Sequence, residues 1–199
     1  MISNIVGLLV MLNPFAMFIY LEPVMEKLDD KTFRTVLYKA STISFFIFLV
    51  FLVAGDWVFQ KLLLIHFESF RIFGGIVIFS FAYLFIVQGK KSLITMKENL
   101  DNLANEIALP FMVGAGTISL TIVMANELLF FEGFFILILV MFLNIAFILL
   151  LKTIKDGLKK EKLKVAFNKN MQILLRLNGF FVGAIGINMI VIGISNLLL

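Results

Sequence analysis

The sequence predicts an all-α polytopic membrane protein: six transmembrane helices forming two inverted three-helix repeats, with helices 1 and 4 interrupted. Three observations predict it. The 199 residues are 61% hydrophobic and 15% charged, whereas a soluble domain carries about 25% charged residues. One core cannot hide so many apolar groups from water. Apolar runs of the roughly 17–25 residues that a bilayer crossing needs recur at 2–21, 39–59, 72–88, 108–126, 133–151 and 177–198. Two of these runs carry helix breakers, in "MLNPFAMF" at 11–18 and "ALPFMVGAGTIS" at 108–119.

The runs group into one membrane domain, 1–199. A first repeat covers 1–89 (helices 1–3), a cytoplasmic linker 90–107, and a second repeat 108–199 (helices 4–6). "LNPF" at 12–15 parallels "ALPF" at 108–111, and Arg71-x-x-Gly74 parallels Arg176-x-x-Gly179. Three helices per half is an odd number, so the second half must cross the membrane upside down, a recurring plan among secondary transporters. Basic residues set the orientation. Lys27, Lys31, Arg34 and Lys39 mark the first loop, Lys90, Lys91 and Lys97 the third, and seven lysines from Lys152 to Lys169 the fifth, with Arg176 at its edge. The opposite side holds Lys61 and Arg71. Loops one, three and five are therefore expected in the cytoplasm and both termini outside.

The breakers can be read as half-helix starts. Proline costs about 3 kcal/mol in a helix interior, and irregular backbone survives at membrane depth only where it is buried or lines a cavity. Asparagine is a strong N-cap and proline suits the first helical position, so Asn13-Pro14 can open a half-helix starting near Phe15. In the second half Pro110 comes first and Gly114-Ala115-Gly116-Thr117 follows. Glycine permits close backbone approach, and Thr117 or Ser119 can cap the next helix. Free N–H groups at such openings favour negative charge. A lone proline is usually a kink; its recurrence, joined to Gly-x-Gly-Thr, favours a site. The candidate substrate-binding residues are Asn13, Pro14, Phe15, Gly114, Ala115, Gly116, Thr117 and Ser119, with Asn144 from the middle of helix five.

Other polar residues receive structural readings. Asn178 and Asn188 suit interhelical hydrogen bonds, while Gly74-Gly75 and Gly179-x-x-x-Gly183 with Gly186 suit close helix packing. Asp56 beside Trp57 reads as interfacial, Glu22 and Glu26 as solvated loop charges, and Arg71 and Arg176 as anchors at lipid phosphates or helix ends. His66 and Glu68 fall in an outer loop with no assigned role. The absence of cysteine and the single histidine exclude disulfides, thiolate metal sites and histidine-rich metal sites within the chain. No catalytic constellation emerges, so neither an enzyme, a metal nor a cofactor is expected. The net charge of +4 comes from loop lysines and marks anionic membrane lipid rather than nucleic acid.

At these residues the chain resembles the MarC family of integral membrane proteins, which includes small neutral amino acid transporters. The resemblance lies in Asn13-Pro14, "RIFGGIVIFSFAYLFI" at 71–86, "LPFMVGAGTIS" at 109–119 and "LLRLNGFFVGAIGINMIVIGI" at 174–194. Ala115 stands where that family usually has proline between the glycines, which leaves the turn less rigid. Phe70-Arg71 stands for Leu-Arg. The resemblance implies a secondary transporter of small neutral amino acids, glycine- or alanine-like, in the prokaryotic plasma (inner) membrane. Export is one direction for it, protons the implied coupling ion, and a homo-oligomer a compatible assembly. The rival readings are a non-transporting membrane scaffold or regulatory subunit, and a passive channel for small neutral solutes.

Overall fold

Asn13 adopts the left-handed backbone conformation, φ 48° and ψ 68°, and splits the first apolar run into α1 (Ile2–Leu12) and α2 (Pro14–Lys27). Asparagine is among the few non-glycine residues that tolerate this region. Its backbone N–H still donates to Leu9 O at 3.1 Å, closing α1. Its side-chain Oδ1 accepts from Ala16 N at 3.0 Å, opening α2. One residue thus ends one helix and caps the next, with Pro14 at the first helical position.

The computed structural model describes residues 2–88, 104, 107–108 and 112–198, without the side chains of Pro23 and Asp56. The Pro110 break, the Asp56 side chain and nearly all of the 90–107 linker lie outside the described residues. After α2 come α3 (Asp30–Trp57), a π-helical turn (Val58–Leu62) and α4 (Phe67–Gln88). Then follow α5 (Ala115–Glu127), α6 (Phe130–Gly157) and α7 (Glu161–Leu198). Every described element is helical. Five stretches are long and apolar enough to cross a membrane: Ile2–Glu22, Asp30–Gly55, Phe67–Gln88, Phe130–Gly157 and Glu161–Leu198. The fourth expected run includes 109–111, outside the described residues; its described part is α5, with helical backbone also at 107, 108 and 112.

The sequence-based helix limits need correction. The first and fifth loops between the apolar runs, 22–38 and 152–176, are mostly helical: α2 and α3 are separated only by Leu28-Asp29, and α6 and α7 only by residues 158–160. Lysine, glutamate and leucine are good helix formers, so helices continue past the hydrocarbon edge where hydropathy falls. Asp29 caps α3, its Oδ2 accepting from Lys31 N and Thr32 N at 3.1 Å.

Features of α2 and α3 recur in α5 and α6 at a displacement of 100 residues. Asp30 and Phe130 each begin a helix of 28 residues, after extended residues at Leu28-Asp29 and Leu128-Leu129. The buried stripe of α3, including Phe33, Leu37, Ala40, Ser44 and Phe48, recurs on α6 at Gly133, Leu137, Val140, Asn144 and Ile148. This spacing of three and four residues is one face of a helix. α2 packs on α6 and α7, while α5 packs on α3 and α4, so each half-helix leans on helices of the other half.

The most extensive pairing joins α4 and α7. A Cβ at Gly75 would lie 2.5 Å from Gly186 O, and one at Gly186 would lie 2.9 Å from Gly75 O. Gly179 faces Ala82 and Ile86, and Gly193 faces Glu68 and Ile72. Contacts that fall along one helix as they rise along the other make the pair antiparallel. The glycine seams expected from the sequence therefore pack against each other.

Candidate functional site

The two interruptions meet. α5 begins at Ala115 after an extended Gly114 (φ −125°, ψ 170°). Thr117 secures this start: its Oγ1 accepts from Gly114 N at 3.0 Å, and lies 3.1 Å from Met112 O and 3.0 Å from Gly114 O, to either of which its proton can go. Thr117 is thus the cap expected, and Ser119 is not. Gly116, in the first turn of α5, touches both Ile78 of α4 and Met11 at the end of α1; an added Cβ would run into Ile78 Cδ1 and Met11 Cε. Ala115 lies against α4, its backbone and Cβ 3.3 Å from where Gly74 would carry a Cβ. Gly7 of α1 faces Leu120 of α5. The first break is therefore two residues from side-chain contact with the second.

Helix geometry leaves first-turn N–H groups without intrahelical acceptors. At α2, Pro14 has no N–H and Ala16 N is taken by Asn13 Oδ1, so Phe15 N remains. At α5 the corresponding donors are Ala115, Gly116 and Thr117. These ends carry partial positive charge.

Beside them are polar side chains that the fold buries without partners. Asn13 Nδ2, Ser119 Oγ and both amide atoms of Asn144 make no hydrogen bond, and these residues are 5%, 1% and 0% exposed. An unpaired buried polar group costs about 1–3 kcal/mol. Asn13 stands at the first interruption, Ser119 in the second turn after the second, and Asn144 within α6; each is a place where a polar ligand or water would restore the missing bonds. Asn144 lies one turn from Phe147, whose ring meets Phe15 edge-on at 5.0 Å. The Phe15–Phe147 contact ties the opening of α2 to the turn of α6 that carries Asn144. All nine residues singled out from the sequence lie on these elements; Pro14, Phe15, Gly114 and Ala115 are half-buried, the rest buried.

Ser41 and Ser44 of α3 were missed. They are 3% and 0% exposed, and their Oγ atoms lie 4.0 and 3.4 Å from Met112 Sδ beside the second break. The signal was available, since Ser44 and Asn144 stand 100 residues apart in matching helices. Glu22 also departs from expectation. It is 8% exposed and pairs with Lys155 at 2.6 Å, because helix α6 continues far enough to bring Lys155 alongside α2. Glu68, assigned no role, holds Arg71 at 2.9 Å and accepts from Asn196 at 3.1 Å, so Arg71 anchors to its own helix. Asn188 is exposed and Asn178 Nδ2 is buried without a partner.

No group of three or more potential metal ligands occurs among the described residues. The buried polar groups at the two breaks are all uncharged, so they suit a ligand of no net charge.

The family described as MarC family integral membrane protein matches residues 1–198. The chain belongs to the MarC family. It is similar to a UPF0056 membrane protein of Aquifex aeolicus (strain VF5), at 28% identity over 207 residues covering 99% of this chain and 93% of the relative. A UPF0056 membrane protein of Pyrococcus horikoshii is 25% identical over 199 residues, covering 100% and 95%. No solved structure matches the chain. As a MarC protein it is a multi-pass integral membrane protein, in keeping with its five described apolar spans.

Proposed function

We propose that this MarC protein is a secondary transporter of small neutral amino acids, with its substrate held between the two helix interruptions. The observation that carries the reading is the meeting of two half-helix openings in a fold that buries three unpartnered, uncharged side chains on α5, on α6 and at Asn13. A zwitterion needs both signs of polarity and no net charge at its site. The first-turn N–H groups of α2 and α5, with Asn13 Nδ2, would receive its carboxylate. Asn144 Oδ1 and Ser119 Oγ would accept from its ammonium group. The tight contacts of Gly116 and Gly74 leave little room for a side chain, which favours glycine or alanine.

The same reading takes the chain as two inverted three-helix repeats. The displacement of 100 residues in helix limits and buried stripe supports it, as does the exchange by which α2 and α5 each pack on the other half. The lysine-rich end, which holds Lys152 and Lys155, then faces the cytoplasm of a prokaryotic plasma membrane.

Counterflow in proteoliposomes tests the function. Saturable uptake of labelled alanine or glycine driven by internal unlabelled substrate is expected. Linear, non-saturating flux would make the protein a channel, and absence of flux with any small neutral amino acid would leave it a packing component. Loading from either side reads the direction of net transport, and a pH gradient reads proton coupling.

A further inference from the structure

The displacement by 100 residues exposes one asymmetry. Glu22 and Lys155 correspond to Ile122 and Gly55. At one end of the bundle Glu22 meets Lys155 at 2.6 Å, with side chains 10% and 15% exposed, and Lys155 also reaches Glu26 at 3.5 Å. Next to them Lys152 pairs with Asp30 at 2.5 Å and Asp156 at 2.6 Å. At the corresponding place in the other half the same joint is apolar and interlocked: a Cβ at Gly55 would lie 2.6 Å from Ile122 Cγ1. Equivalent joints are thus closed in two different ways.

The two closures respond differently to water. Opening the apolar joint exposes hydrocarbon surface, and the cost grows with its area. Opening the ionic joint returns two charges to water, and their hydration offsets much of the lost attraction. The ionic joint is the one that can open and reclose at small net cost. Its position matters because of α2. That helix joins α1 only through left-handed Asn13, its first turn belongs to the candidate site, and its last two turns carry Glu22 and Glu26. A helix hinged at the site and tied at its far end is a lever.

We propose that the Glu22–Lys155 pair is the latch of a gate, and that α2 swings about Asn13 when the latch opens, admitting water from the lysine-rich end to the site. The conformation described is the latched one. The proposal deepens the transport reading and rests on it, since a gate serves a site.

Cysteine accessibility tests the latch without any substrate. The chain has no native cysteine, so each introduced thiol is unique. Ala16→Cys places the thiol in α2, 7% exposed, in a cluster with Leu151 of α6 and Leu175 of α7. Leu52→Cys places a control thiol on α3, 6% exposed and one turn from Gly55 at the apolar joint. In nanodiscs, a water-soluble maleimide should modify the Ala16→Cys protein slowly. Adding Lys155→Met or Glu22→Gln should raise that rate roughly tenfold or more, because the attraction that holds the end of α2 against α6 is lost. The charge exchange Glu22→Lys with Lys155→Glu should bring it back towards the starting rate, and the Leu52→Cys rate should not change. An unchanged Ala16→Cys rate, a parallel rise at Leu52→Cys, or failure of the charge exchange to restore protection would each overturn the latch. If labelling follows the pair while counterflow is absent, the latch stands and the amino-acid reading falls.

Discussion

Ser44 and Asn144 occupy equivalent positions on α3 and α6, both fully buried, but only one has partners. Ser44 Oγ lies 2.9 Å from Ala40 O and 3.4 Å from Met112 Sδ; neither amide atom of Asn144 has a partner. A hydroxyl can satisfy itself on its own helix by bonding the carbonyl four residues back. A buried amide one carbon longer has no such local solution here. The pair therefore separates a structural polar residue from one kept in an unsatisfied state, and stability and function should part company at Asn144.

Asn144→Leu removes the unpaired amide while keeping a γ-branched side chain. The buried polar penalty of about 1–3 kcal/mol disappears, offset in part by the larger volume of leucine. Thermal stability in detergent should stay level or rise, while counterflow is lost. A clear fall in the melting temperature would show that the amide holds the fold together.

Asn13 combines three functions that substitutions can separate. Asn13→Gly keeps the left-handed backbone at a cost of a few tenths of a kcal/mol as a cap, but removes Nδ2. Asn13→Ala adds about 1–2 kcal/mol of left-handed strain. Asn13→Asp keeps the acceptor for Ala16 N and replaces the donor with negative charge. Transport should fall in all three, with stability ranked Gly above Ala. The decisive variant is Asp: wild-type apparent affinity for alanine in Asn13→Asp would remove the residue from the carboxylate subsite.

Gly116→Ala puts a methyl group where Ile78 and Met11 already sit. Both contacts are the ends of flexible side chains, so the variant should fold with a loss of about 1–3 kcal/mol. Its counterflow should fall because the two openings are pushed apart. Combining it with Ile78→Ala should restore stability and part of the transport, and a double-mutant cycle reads the coupling. Purely additive effects would mean that Gly116 and Ile78 do not constrain each other.

Most of the fold was legible because bilayer thickness imposes a length on apolar runs and because Asn-Pro has few roles in a helix. The break at Asn13, the cap at Thr117 and the glycine seam of α4 and α7 all follow from local chemistry. Helix ends were not legible in the same way. Hydropathy marks where hydrocarbon stops, whereas α6 continues through Lys152 and Lys155 because lysine side chains favour helix and find carboxylates on α2 and α3. Ser41 and Ser44 escaped for a related reason. Short hydroxyl side chains in an apolar run look unremarkable until the opposite break places Met112 beside them. The meeting of Met11 with Gly116 is a tertiary fact that neither segment announces alone.

Thr117 offers the sharpest separation of cap from ligand. Its hydroxyl holds Gly114 N at 3.0 Å, so Thr117→Val, which keeps the shape and removes the oxygen, frees a half-buried N–H at the second opening. Loss of such a cap costs about 1 kcal/mol, and Thr117→Ser should recover it. If the hydroxyl serves only the turn, transport in Thr117→Val should return when the protein is assayed at a temperature low enough to restore the folded population. If α5 must present its first-turn N–H groups in this register to a substrate carboxylate, the variant should keep a raised KM for alanine counterflow at every temperature at which it is folded. The second outcome is expected, because the same hydroxyl fixes the direction of Ala115 and Gly116 N–H. Measuring KM and maximal rate separately, with folding followed by circular dichroism, distinguishes the two.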